Sequence, residues 1–455
     1  TYEVAPLPVP DHHRPVPPPD AIGDYDAMAL FVERATAAEP TFAVTDGNVA
    51  AVTRLAQCLD GLPLALELAA ARLRVLTPEQ IVDRLDDRYR LLDGGSRTSW
   101  PHQRSLRALI DWSFDLCSAQ ERGLWARLSV FPGDFDLDAA EDVCADDELA
   151  RQDVLDTLSG LIDKSVVITE RQRSRLRYRL PETLRGYGRD RLAEAGRDTR
   201  VRFRHAEYYG RLGERASAEW FGPRQMHWTT VMRAEHDNLR AALEFLMAEP
   251  DHADAALAMF SPAIGTYWSI TGTLGGGRRF VDRVLAAHPT PSPERATALG
   301  IAAWVAINEG DLAAADAAAR ESHALAVRYG DIRTAADAAL YLGAATMLRG
   351  DLDAAEALLR DVLDRAGEPD HPRLVAVALG HLAELAHRRG DAAAAAEAHA
   401  KCVAVCEANG ESWIRSYALT GWAGALCETG DLARAAELAR DGLRLHTQFQ
   451  DRGGI

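Results

Sequence analysis

A Gly-Asp pair recurs at Gly310-Asp311, Gly350-Asp351, Gly390-Asp391 and Gly430-Asp431, a period of 40 residues. Two alanine columns keep the same register, at 298, 338, 378 and 418 and at 315, 355, 395 and 435. Glycine enters positive φ without a Cβ clash, and aspartate caps the helix that follows. Each period therefore reads as helix, tight turn, helix, with small residues where the two helices cross. Such units cannot bury their apolar faces alone, so they stack into an α-solenoid. Ala258 fits one column and Gly272 falls near the turn position, which predicts a degenerate fifth unit before residue 290.

The unit resembles a tetratricopeptide (TPR) hairpin but is longer than the roughly 34 residues usual there. At 455 residues the chain is too long for one core, and about three domains are expected. Its apolar share of 47% and charged share of 26% are those of a globular protein. No run of about 18 apolar residues occurs, nor a basic start followed by an apolar stretch, so neither a spanning helix nor a secretory signal is expected and a cytoplasmic location follows. Six cysteines are scattered through helical segments and read as reduced; Cys402 and Cys406 share a helix face but lack partners at zinc spacing. A net charge of −17 excludes a nucleic-acid surface spread over the whole chain.

The expected fold class is mainly α: a helical lid domain, a winged-helix domain with one β-hairpin, then the TPR-like α-solenoid. Residues 1–22 are proline-dense and read as an extended linker. Helical periodicity follows over 23–95, with Thr45 to Asn48 as a cap and Gly61-Leu62-Pro63 as a break. In 96–195 several helices precede two runs of period two, Val166 to Thr169 and Leu176 to Leu180, and a helix from Glu182; this is the winged-helix order. A helical connector over 196–250 leads to the repeats of 251–455. The chain starts with Thr1, and Ile455 stands where another repeat would begin, so an interior portion of a longer protein is expected.

Few residues suggest chemistry. Lys164-Ser165 is the one Lys-Ser pair, but no glycine flanks it, so an ordinary helix end is expected rather than a phosphate-cradling loop. His12, His13, His102, His205 and His236 do not pair at metal spacing. Arg171, Arg173, Arg175, Arg177 and Arg179 alternate, and if extended they share a face opposite Leu176, Tyr178 and Leu180. That face is either a wing touching the phosphates of DNA or nucleotide, Arg175, Arg177 and Arg179 foremost, or a solvated surface paired with neighbouring acids. On the solenoid, Trp304, Tyr341, Trp413 and Trp422 are expected on the concave face.

The run Cys58 to Arg72, containing Gly61-Leu62-Pro63-Leu64, closely resembles the GLPL motif of the STAND (NB-ARC-like) signalling ATPases in their bacterial LuxR-type and AfsR-like form. The likeness continues through Leu76 to Ile81, Ser105 to Leu116, Leu128 to Phe131 and Arg179 to Arg185. It implies a nucleotide site of which this chain keeps Gly61, Leu62, Pro63 and Leu64, with Pro63 against the adenine, and Glu182 and Arg185 near the phosphates. Leu180-Pro181-Glu182 falls on the family's Met-His-Asp triplet, and proline replaces the phosphate-reading histidine. The resemblance further implies ATP or ADP with magnesium in the full-length protein, probing a slow ATPase; for this chain alone no catalytic residue, enzyme activity, cofactor or metal is expected. It implies self-oligomerisation on activation, DNA binding through a domain outside the chain, and a ligand or protein partner on the repeats, with no membrane contact. Two rivals are a TPR-like scaffold without nucleotide switching and direct DNA binding by the winged helix.

Overall fold

In the computed structural model, Gly310, Gly350, Gly390 and Gly430 all take positive φ, between 77° and 94°. Asp311, Asp351, Asp391 and Asp431 each accept a hydrogen bond from the backbone N–H three residues on, at 2.9 to 3.2 Å. Gly330 and Gly410 adopt the same left-handed conformation midway between these turns. A chain reversal therefore recurs every 20 residues, one per helix, and the 40-residue period is the hairpin. The structure describes residues 7–10, 16–59, 61–92, 101–172, 175–248, 252–260, 262–271, 274–366 and 371–451. They divide between two units, Thr1–His205 and Ala206–Ile455.

The first unit opens with α1 (Asp26–Ala38), α2 (Val49–Cys58), α3 (Pro63–Ala70) and α4 (Pro78–Leu92). Met28, Phe31, Leu55, Leu59, Leu66 and Leu68 are fully buried among them. The described parts of the proline-rich segment run along these helices: Leu7 N–H donates to the Gly61 carbonyl at 2.9 Å and Gln57 Nε2 to the Pro10 carbonyl at 3.0 Å. The expected Asn48 cap works backwards, its Oδ1 accepting from Thr45 N–H at 2.8 Å instead of closing the first turn of α2.

The winged helix follows as α5 (Pro101–Asp115), α6 (Ala119–Leu128), α7 (Leu137–Cys144), α8 (Val154–Asp163), β1 (Ile168–Gln172), β2 (Arg175–Arg179) and α9 (Glu182–Glu194). Ser118 and Glu121 form a reciprocal capping box at the start of α6. β1 starts two residues later than the period suggests, because Val166 and Val167 are buried before it. Phe135 exchanges both backbone hydrogen bonds with Tyr178, at 2.9 and 2.8 Å, adding a one-residue third strand where the sequence shows only a break at Phe131 to Asp134.

Helix α10 (Asp198–Glu219) passes into the second unit, which continues with α11 (Gln225–Ala234), α12 (His236–Ala248), α13 (Ala253–Ala258), α14 (Pro262–Thr271) and α15 (Leu274–Ala287). The repeats are α16 (Pro293–Glu309), α17 (Leu312–Tyr329), α18 (Ile332–Leu348), α19 (Leu352–Ala366), α20 (Pro372–Arg388), α21 (Ala392–Asn409), α22 (Trp413–Thr429) and α23 (Leu432–Phe449). Both alanine columns are buried throughout. The expected fifth unit is a correction: Ala258 is exposed, and the close approach is Gly277, where an added Cβ would lie 2.3 Å from the Trp268 ring. Gly272 lies outside the described residues. The expected connector is built into the repeats, since Gln225 on α11 bonds to Glu411, Ser412 and Trp413. Among the described residues no helix is long and apolar enough to cross a membrane.

Two predictions follow from this packing. Gly350→Ala forces alanine to φ of 94° and is expected to lower unfolding free energy by about 1–2 kcal/mol in urea melts. Burial pushes the His381 and His399 imidazoles down to about 4, with His387 adding to the effect on His399. The unfolded chain, with the ordinary value of 6.5, then binds protons that the folded one refuses. Stability present above that value is lost as pH falls towards 4, so the urea midpoint drops over this window and drops less in a His381→Gln/His399→Gln variant.

Candidate functional site

The GLPL turn joins α2 to α3. Gly61 sits at φ of 63°, and any Cβ there would stand 2.0 Å from the Leu7 carbonyl oxygen. Both the turn and the close approach of the proline-rich segment require glycine. Leu62 and Leu64 are half-buried, whereas Pro63 occupies the first turn of α3 with its ring exposed. An exposed ring at a helix start offers a flat apolar face and no competing N–H.

Glu182 and Arg185 sit on the first turn of α9 and pair with each other, Arg185 Nε donating to Glu182 Oε2 at 3.1 Å. The glutamate is 73% exposed and the arginine mostly covered. Among the described residues no hydrogen bond or ion pair joins this pair to the GLPL turn. The two halves of the implied site are thus two separate places on the first unit.

The arginine hairpin departs from expectation. Cross-strand partners share a face, and Arg171 pairs with Leu176 while Glu170 pairs with Arg177. The turn at 173–174 therefore puts Arg171 on the Leu176 and Tyr178 face, and a single five-arginine face does not form. Arg177 is only 4% exposed; its Nη2 donates to the Asp134 carbonyl at 2.7 Å and its Nη1 lies 3.9 Å from Asp136. It braces the Phe135 strand and cannot reach a phosphate. Arg179 is exposed and lies 3.5 Å from the Asp134 carboxylate. Arg173 and the Arg175 side chain lie outside the described residues.

In a winged helix the third helix of the core enters the major groove. Here that helix is α8, Val154-Leu-Asp-Thr-Leu-Ser-Gly-Leu-Ile-Asp163, with no basic residue and with Leu155, Asp156, Ser159 and Asp163 exposed. Lys164 at its end is held by Glu121 Oε1 at 2.6 Å. Asp163 itself pairs with Arg74 of the helical domain at 3.1 Å. A helix with two exposed acids repels phosphates.

The Ser105 to Leu116 motif has a packing role. Asp111 accepts from Tyr187 at 2.6 Å and from Arg191 at 2.9 Å, and the Phe114, Trp125 and Tyr187 rings meet at 5.5 Å centroid distances. Trp125 Nε1 donates to the Leu184 carbonyl at 2.9 Å, fixing α9 on the core. Burial, then the bond to Asp111, pushes the Tyr187 phenol well above its ordinary range.

In the second unit, Trp304, Tyr341 and Trp413 do line one recess, of about 40 Å³, together with Ile301, Arg373 and Trp220. Trp422 is not among its walls; it lies beneath Arg434, whose guanidinium stands 6.0 Å from the ring centroid. Gln225 and Glu411, which the sequence reading missed, form a buried knot beside it: Gln225 Nε2 donates to Glu411 Oε1 at 2.8 Å, and Glu411 also accepts from the N–H groups of Trp413, Ile414 and Arg415. Burial raises the Glu411 carboxyl's pKa, opposed by those donors. The signal was present as Gly410-Glu411, where the repeat elsewhere puts Gly-Asp.

A winged helix-turn-helix domain model matches residues 117–193. A protein named as an HTH-type transcriptional regulator in Mycobacterium bovis is 42% identical over 238 residues, covering 52% of this chain and 26% of the relative. An uncharacterised protein of Mycobacterium tuberculosis is 39% identical over 184 residues, covering 40% of this chain and 47% of its own length. The chain thus spans about a quarter of the length of the regulator it matches. Among solved structures, a STAND protein with a tetratricopeptide repeat sensor from Pyrococcus horikoshii is similar with a TM-score of 0.47 at 12% identity, over 85% of this chain and 60% of that one.

Arg177→Ala removes a buried cation from its carbonyl and is expected to cost about 2–3 kcal/mol in urea unfolding. Arg179→Ala, at an exposed pair, is expected to change stability by less than about 1 kcal/mol. Equal costs would contradict the burial of Arg177.

Proposed function

We propose that the chain is the regulatory and sensing portion of a bacterial, cytoplasmic transcriptional regulator of the STAND type, in which the winged helix is a switch module and the repeats receive the signal. The observation that carries this reading is the acidic α8 in a winged helix packed on a GLPL turn. A domain that keeps the winged-helix frame but places Asp156 and Asp163 where a reader needs cations is suited to docking, with Asp163 on Arg74 as one such contact.

The implied nucleotide fits this chain in part. Pro63 presents the exposed flat ring that an adenine contact requires. Arg185 is covered and engaged by Glu182, and Pro181 offers no donor where the family has histidine, so the phosphate-facing half does not fit. Bound nucleotide would supply the difference between closed and open states. The chain's own residues would seat the base and hold α9 against α5 through Asp111, Tyr187 and Arg191. A signal on the repeats shifts that balance only by preferring one state over the other.

The test uses the longer natural protein and a fluorescent ADP. It binds, and Pro63→Ser weakens binding about tenfold, a loss of about 1.4 kcal/mol; a longer protein that binds no nucleotide overturns the reading. Direct duplex binding by the winged helix is the second reading, favoured by the domain match over 117–193. The 455-residue chain is expected to leave duplex DNA unshifted at low salt, whereas binding that falls steeply with salt would favour that alternative.

A further inference from the structure

Beside the aromatic recess of the second unit lies a larger chamber of about 280 Å³, walled by Ser217, Ala218, Trp220, Phe221, Arg333, His371, Pro372, Arg373 and Leu374. Trp220, Phe221 and Arg373 line both spaces, so the two adjoin. The chamber has no acidic residue in its wall, on a chain whose net charge is −17, and three of its side chains are basic or titratable to basic. Arg333 is exposed and makes no ion pair with a described residue. Arg373 gives one edge to Asp337 and keeps further N–H donors.

Two further features point to a missing acceptor. Trp220 is only 5% exposed, and its indole N–H has no hydrogen-bond partner. A buried donor left unmade costs on the order of 1–3 kcal/mol, so such a group marks a place where an acceptor belongs. The chamber wall also contains the start of α20, a helix of 17 residues. Its N-cap His371 gives no side-chain cap, whereas α16 is capped by Ser292, α18 by Asp331 and the start of α22 by Glu411. Uncapped first-turn amides and the helix dipole favour an anion.

We propose that this chamber binds a small aromatic carboxylate, its carboxylate set among Arg333, Arg373, the Trp220 N–H and the first turn of α20, and its ring against Trp220, Phe221 and Leu374. The assignment rests on the reading of the repeats as the sensing part of the chain. Three observations favour a flat apolar body with one negative group: the chamber's volume, its aromatic and aliphatic wall, and donors gathered at one end. One wall comes from the residues after α10 and the opposite wall from α20, which places the ligand between segments that the Gln225–Glu411 bond holds together. Occupancy is therefore coupled to how firmly α11 is seated.

The test is calorimetric titration of the 455-residue chain with phenylacetate and indole-3-acetate, each beside its methyl ester. The acids are expected to bind at least about tenfold tighter than the esters, and Arg333→Gln to weaken the acids about tenfold with an unchanged melting temperature. Trp220→Phe keeps the ring, removes the N–H, and is expected to weaken the acids about fivefold. Equal binding of acid and ester, binding indifferent to Arg333→Gln, or no heat from either acid at about 10 mM overturns the proposal. Nucleotide binding by the longer protein is read separately, so failure here leaves the switch reading standing.

Discussion

The second unit depends on a left-handed glycine and a capping carboxylate repeated at each reversal of the chain. Positive φ at Gly310, Gly330, Gly350, Gly390, Gly410 and Gly430 ends one helix, and an acid at the next position starts another. With turns this short, neighbouring helices must lie antiparallel and close, and only small residues fit at their crossings. Ala298, Ala338, Ala378 and Ala418 meet that demand on one helix of each hairpin, Ala315, Ala355, Ala395 and Ala435 on the other. Helix length, crossing distance and stacking all descend from that backbone condition. Where it fails, before residue 290, the helices shorten and Gly277 against Trp268 replaces the alanine contact.

How much could be read in advance follows from how far each interaction reaches along the chain. Turns and alanine columns are local and periodic, so the hairpins were visible in the sequence. The winged helix was visible for the same reason, as an order of local patterns, though the Phe135 bridge was not, since one residue has no period. The arginine face failed because alternation within a strand does not survive the turn: the register places Arg171 opposite Leu176 and buries Arg177 beneath the Asp134 loop. The Gln225–Glu411 knot spans 186 residues, and no local pattern pairs them. Trp422 shows the same limit, because helical spacing sets a face but not which helix will cover it.

Burial also sorts the residues that the family resemblance singled out. Much of what looks like a signature is packing: Gly61 admits the Leu7 carbonyl, Asp111 anchors Tyr187 and Arg191, and Trp125 binds the backbone of α9. Pro63 remains exposed and available. A short sequence resemblance therefore mixes residues that hold the frame with residues that meet a partner, and exposure separates them.

The account of the second unit rests on α11 and the repeats forming one body around the aromatic recess. Hydrogen exchange of the backbone amides in 225–234 and 411–415 tests this most directly. If Gln225 and Glu411 join one cooperative body, both segments are protected and lose protection together as urea rises. Exchange of 225–234 at the rate of a free peptide, while 411–415 stays protected, would contradict it.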